Sequence, residues 1–252
     1  MITHRRALAT TSTLVLLLLG FAQAKTSPPK ASCNRAASCN ELGTQALKKG
    51  EITTAIQLFK LQVGYAEDAQ DKKESGVAYD NLAVAYMRNQ HYHRALAWTH
   101  LALLANSESE AAKHNLAAIE KRTADYRWPA SIGGTYVQYA GRAQWSSFCV
   151  SKGGNDLDFR LIIYRMGAAW RRYGPAGYGD VKGKAGLTGN DEAQYTGTSD
   201  FPTCHIQMKF ASDGVTLEQQ GDCGFGHGVR AAGHYERINP TDGPDCDQHN
   251  LP

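Results

Sequence analysis

The sequence predicts an α+β protein, a helical half followed by an antiparallel β half braced by disulfides. Three observations predict it. From Asn40 to Tyr126 apolar residues recur at helical spacing. After Pro129 they alternate in short runs separated by Gly-Gly-Asn, Gly-Pro and Asp-Gly. All six cysteines lie beyond the N-terminal apolar segment, and cysteines of exported chains usually pair.

The first 24 residues read as a secretory signal: Arg5 and Arg6 as a basic start, Leu14–Phe21 as an apolar centre, and Ala22-Gln23-Ala24 as a cleavage site. Cleavage near Ala24 would deliver the chain to the periplasm or the medium, and no cysteine follows it to carry a lipid anchor. Losing the two arginines lowers the formal charge from +3 to +1. So small an excess gives no electrostatic case for a nucleic-acid partner. No second apolar run is long enough to span a membrane. Residues 25–39 form a Pro/Ser-rich lead-in, ending in Cys33 and Cys39, close enough to close a small loop.

Residues 40–127 form the helical domain, and its pattern repeats. Leu42-Gly43, Ala46, Ala55 and Phe59 have counterparts in Leu82-Ala83, Tyr86, Ala95 and Thr99, and Leu116-Ala117 opens a third copy. Small residues at Gly43, Ala83 and Ala117 would let helices approach closely. This pattern resembles the tetratricopeptide repeat, with Ala46 departing from the family's Tyr and the third copy serving as a cap. The resemblance implies a protein-interaction scaffold, with Asn81 among inward positions that can grip a peptide or carboxylate and Arg88 near the end of its helix. His93 and His100 are one heptad apart and could share a face, but no third ligand follows at a fixed spacing; with His91 they read as surface histidines at a repeat turn, so no metal is expected.

Residues 131–240 form the β domain, a sandwich or small barrel, and 241–252 a polar tail. Strands are expected at Thr135–Tyr139, Trp145–Val150, Phe159–Tyr164, Ala168–Tyr173, Gln194–Gly197, Cys204–Phe210, Val215–Gln220 and Gly233–Ile238. Asp213-Gly214 suggests a two-residue hairpin turn. Partners would then be Phe210 with Leu217 and Met208 with Gln219, and Cys204 would face Cys223 for a disulfide. Cys149–Cys246 follows by elimination. Cys223 is therefore a half-cystine rather than a nucleophile, and the surrounding QGDCGFGHGVRAAGHY reads as a glycine bulge after the bridge, not a zinc site. Serine-hydrolase elbow, zinc-protease and phosphate-loop motifs are absent.

The segment YRMGAAWRRYGPAGYG gathers Trp170, Arg171, Arg172, Tyr173 and Tyr178 around a Gly/Pro turn. These residue types dominate protein-binding hot spots, and inward packing of the aromatics is the competing reading. The arrangement GTYVQYAG…C…CGFGHGV…GHY is similar to small exported β domains that include periplasmic lysozyme inhibitors, although the S-G-x-x-Y motif of one inhibitor class is absent. Together these features lead to an expected function: an exported protein-binding protein, without catalysis or cofactor. Its partner would be another protein of the bacterial envelope, in the most specific form a cell-wall hydrolase that it inhibits. The alternatives are a repeat scaffold for envelope assembly, or a hydrolase using His205, His227 and His234.

Overall fold

The computed structural model describes residues 32–123 and 132–239. Five helices come first: α1 Ala36–Lys48, α2 Ile52–Asp68, α3 Lys72–Arg88, α4 Tyr92–Ala105 and α5 Glu110–Thr123. The three turns between α1 and α4 are copies of one another. In each, an N–H reaches back to a carbonyl five residues earlier: Glu51 to Ala46 at 2.9 Å, Asp71 to Ala66 at 3.0 Å, and His91 to Tyr86 at 2.9 Å. The residue before each donor takes a left-handed conformation, at Gly50, Gln70 and Gln90 (φ 80°, 56° and 60°). This is the Schellman stop, and its regular recurrence underlies the 40-residue step between the first two sequence copies. Asp71 starts α3 by accepting the Glu74 N–H at 2.9 Å.

Small residues set the helix spacing as expected at Gly43, where a Cβ would run into the Phe59 ring, and at fully buried Ala83. Ala117 differs. It is exposed, because α5 packs through Ala112, Asn115 and Ile119, and the next described element after α5 is a strand.

The β half is a closed barrel of eight antiparallel strands in sequence order: β1 Gly134–Gly141, β2 Gln144–Gly153, β3 Asp156–Arg165, β4 Gly177–Leu187, β5 Glu192–Thr196, β6 His205–Phe210, β7 Gly214–Gln220 and β8 Gly233–Asn239. Closure by β1–β8 pairing decides between sandwich and barrel. The interior is packed with Tyr136, Phe148, Phe159, Met208, Tyr235 and their neighbours.

Two expectations are corrected. Ala168–Tyr173 is not a strand: Trp170–Tyr173 forms one helical turn, α6, and the fourth strand lies further on, in β4. The inward positions of β4 are Gly177, Gly179, Val181, Gly183 and Ala185, so its alternation carries almost no hydrophobic signal. Those glycines are needed because the ring of Phe225 lies against Gly179 and that of Tyr195 against Gly183. The β6–β7 hairpin is also shifted. Phe210 pairs with Val215 and Met208 with Leu217, so Ser212-Asp213 is the loop and Gly214 begins the strand. Parity is kept, so the same side chains face the core.

The Cys204–Cys223 disulfide nevertheless forms, with Cα atoms 4.7 Å apart. The ladder ends at His205–Gln220, and Gly221, at φ +71° and closed to any side chain by the Thr203 carbonyl, turns the chain so that Cys223 returns beside Cys204. Cys33–Cys39 is also bonded, at a Cα separation of 5.2 Å. Cys149 is disulfide-bonded, while its expected partner, Cys246, lies outside the described residues, as do the signal segment and the polar tail.

The described residues belong to one compact unit. Val137, Tyr139, Trp145 and Ile238, on the outer face of β1, β2 and β8, join Tyr79 and Trp98 in a single apolar cluster. Trp98 meets Trp145 edge-on, with ring centroids 5.2 Å apart. Among the described residues no helix is long and apolar enough to cross a membrane.

Candidate functional site: an internal clasp beside an aromatic rim

The end of α2 carries two adjacent acids, Glu67 and Asp68, with no basic residue in the same turn. Carboxylates at a helix C-terminus oppose the helix dipole, so some other positive or donor group must compensate. The β half supplies most of it, and Tyr79 of α3 adds one donor. Glu67 accepts hydrogen bonds from the Tyr139 hydroxyl, from the Tyr79 hydroxyl at 2.7 Å and from the Arg142 N–H at 2.7 Å. Asp68 accepts from Arg142 Nε at 3.2 Å, from Trp170 Nε1 at 3.1 Å and from the Arg171 guanidinium at 2.9 Å. Burial, with the Glu67 charge next in weight, pushes the Tyr79 and Tyr139 hydroxyls far up, so both stay protonated as donors.

This clasp holds a strained turn. Arg142 and Ala143, the central residues of the β1–β2 hairpin, both have positive φ (51° and 58°). Neither is glycine, and two such residues cost roughly 1–2 kcal/mol each. The Glu67 and Asp68 carboxylates fix the first of them, and the Tyr139 hydroxyl accepts the N–H of the second at 3.1 Å.

Trp170 and Arg171 therefore belong to the clasp. The indole covers Gly64 so closely that no side chain fits there, and the Arg171 guanidinium stacks 4.1 Å from the Tyr65 ring centroid. Trp170 is half-buried, while Arg171, though engaged at Asp68, keeps 40% of its side chain exposed. The other three members of the segment differ. Arg172 is exposed and lies over the Tyr173 ring at 5.2 Å, and Tyr173 is 72% exposed. Tyr178 is exposed, stacks on Tyr164 with centroids 5.6 Å apart, and donates to Asp180 at 2.9 Å. Arg160 donates to both oxygens of Asp180 in a two-pronged pair, at 2.8 and 3.1 Å, and keeps that carboxyl below its usual range.

Sequence reasoning missed Phe201, which extends this surface. Its ring lies against Gly224, the next residue, Phe225, lies against Gly179, and Gly226 donates to the Tyr178 carbonyl at 2.9 Å. The β3–β4, β5–β6 and β7–β8 connections all lie at one end of the barrel, and the Cys204–Cys223 bridge ties the last two together. Six large apolar side chains are exposed among the described residues, and the three in the β half, Tyr173, Tyr178 and Phe201, all lie on this rim.

On the helical side, the Asn81 amide donates to Asn40 at 2.9 Å and to Gln62 at 3.0 Å, so it ties α1, α2 and α3 together. Arg88 is exposed at the end of α3. No hydrogen bond links His205, His227 and His234 among the described residues: His227 offers its carbonyl to Arg165, and His234 contacts Thr216. No group of three or more metal-ligating side chains occurs among the described residues. The rim can offer aromatic faces, phenol hydroxyls and guanidinium groups to a surface laid against it. No match is found for the chain among protein-family models, curated proteins or solved structures.

Proposed function

We propose that this chain is an exported protein-binding protein that uses the aromatic rim of its barrel to contact a partner in the bacterial envelope. One observation carries the reading: the exposed large apolar side chains of the β half gather at one barrel end, beside Arg172. Aromatic and arginine side chains on loops held by a rigid sheet are the usual anchors of protein interfaces. A cell-wall hydrolase, which the chain would inhibit, is the partner class favoured by the likeness of GTYVQYAG…CGFGHGV…GHY to exported inhibitor domains. A scaffold role for the helical half, by its likeness to tetratricopeptide repeats, is the second reading. Exposed Arg88 supports it, while the engagement of Asn81 within the helices weakens it.

The test uses the mature chain against a panel of muramidases and amidases, with binding and inhibition measured together. Tyr173→Ala/Tyr178→Ala should abolish both while the chain stays folded, with a small loss of thermal stability from the Tyr178 contacts to Tyr164 and Asp180. Arg88→Ala should leave both unchanged. Undiminished inhibition by the tyrosine variant would remove the rim from the proposal, and absence of inhibition across the panel would remove the hydrolase. Trp170 and Arg171 are unsuitable probes because their loss opens the clasp.

A further inference from the structure

Three neighbouring strands of the barrel wall turn a polar face outward, and it contains a recess. Gln194 of β5 pairs with Gln207 of β6, which pairs in turn with Glu218 of β7. Two residues along each strand, Thr196 pairs with His205 and His205 with Gln220. All of these except Thr196 line a cleft of about 260 Å3. The alternate residues, among them Ala193, Ile206, Met208 and Leu217, fill the barrel interior, so the pleat directs the polar set outward. The helical half packs on β1, β2 and β8 and leaves this wall open: Gln194, Gln207, Glu218 and Gln220 are all exposed.

His205 is the half-buried member, and its Nδ1 is shielded from solvent without a hydrogen-bond partner among the described residues. The tautomer of an imidazole is set by the hydrogen bond that one of its nitrogens makes. Here no such bond fixes it, so Nε2 is able either to donate or to accept. Each glutamine amide likewise brings donors and an acceptor. Glu218 is the one acid of the lining, and among the described residues no lysine, arginine or apolar side chain joins it.

We propose that this recess binds a neutral sugar through its hydroxyl groups. A hydroxyl both donates and accepts, which is the property shared by the three amides and the imidazole, and a carboxylate takes the protons of two adjacent hydroxyls. An anion would be repelled by Glu218, a hard cation needs more oxygen ligands of that kind, and a lipid would find no apolar wall. Opposed side chains on neighbouring strands lie ~4.5–5.5 Å apart, about the width of one sugar ring. The volume falls below the ~300 Å3 at which drug-sized sites begin, so one ring is held in the recess and the rest of a chain lies along the wall. This inference stands apart from the rim, since it uses other side chains on another face.

The probes are chitotriose, which carries acetamido groups, maltotriose, which carries hydroxyls alone, and purified peptidoglycan. In the mature chain, at least one trisaccharide should shift the side-chain NMR signals of Gln194, Gln207, Gln220 and His205 saturably. Gln207→Ala, at an exposed position in the middle of the patch, should weaken binding about tenfold, the loss of two neutral hydrogen bonds. Lys209→Ala, on the same face of β6 but outside the lining, should leave it unchanged, as should Tyr173→Ala/Tyr178→Ala on the rim. Pelleting with peptidoglycan that a trisaccharide displaces assigns the wall glycan, and signal shifts without pelleting assign a free saccharide. The proposal is overturned if neither trisaccharide shifts these signals saturably, or if Gln207→Ala binds as tightly as the unaltered protein.

Discussion

The Trp170 indole occupies the space that a side chain on Gly64 would need, so a residue of the β3–β4 connection dictates a glycine in the middle of α2. In an exposed helix, replacing glycine by alanine stabilises by roughly 0.5–1 kcal/mol. Here the sign should reverse. Gly64→Ala is expected to destabilise by about 1–3 kcal/mol, as overpacking does. In a Trp170→Ala background the same change should regain the ordinary helical gain. A double-mutant cycle by urea unfolding measures the difference.

Glu67 is the acceptor for two phenols and one backbone N–H, with only 14% of its side chain exposed. Glu67→Ala leaves those donors without a partner and should cost about 3 kcal/mol or more. Glu67→Gln keeps one acceptor oxygen and should cost less. Calorimetric melting of both variants orders them, and equal losses would mean that packing, not hydrogen bonding, dominates the clasp.

Gln70 stops α2 in the left-handed conformation that Gly50 supplies for α1, and its side chain is exposed. Gln70→Gly should therefore stabilise by about 0.5–1 kcal/mol, since the steric cost removed exceeds the flexibility gained in the unfolded chain. A rise in Tm is the expected reading.

His100 of α4 and Glu236 of β8 are joined at 3.0 Å, and that hydrogen bond raises the His100 pKa above 6.5. A raised pKa means that the folded state holds the proton more tightly than the unfolded chain. The pair's contribution is therefore complete below the unfolded pKa near 6.5 and is lost as pH rises through the folded value. His91 and His93 are shifted down, chiefly by burial, and act in the opposite sense. The difference between the unaltered protein and His100→Gln isolates the pair: it should be largest at about pH 6 and shrink towards pH 9. A pH-independent difference would show that His100 contributes through packing alone.

The helical half was legible because Ala55, Phe59, Leu82, Ala95 and Ile119 recur at the period that buries them. Seven strands were legible because their inward residues are large and apolar, as in Phe159, Leu161 and Ile163. The strand β4 was not, because its inward positions are mostly glycines matched to rings contributed by other segments. The disulfide was legible although its hairpin register was not: the two-residue shift of the ladder is undone by the turn at Gly221. Of the aromatic segment, the residue types were visible but their allegiance was not. Nothing in AAWRRYG distinguishes Trp170, which turns to Asp68, from Tyr173, which turns outward. The paired acids at the end of α2, unmatched in their own helix, were the one local sign that a docking partner was required.

Closure of the barrel by β8 imposes an order on assembly. During synthesis the helices and the first strand emerge early, yet β1 finds its second neighbour only when residues 233–239 arrive. The same late strand brings Ile238 to the cluster around Trp98 and Glu236 to His100. The helical half therefore waits, with part of its apolar face uncovered, for nearly the whole chain to appear. Contacts of such long range fold slowly and expose sticky surface meanwhile. Holding the chain unfolded until β8 has emerged would be the simplest way to avoid premature association.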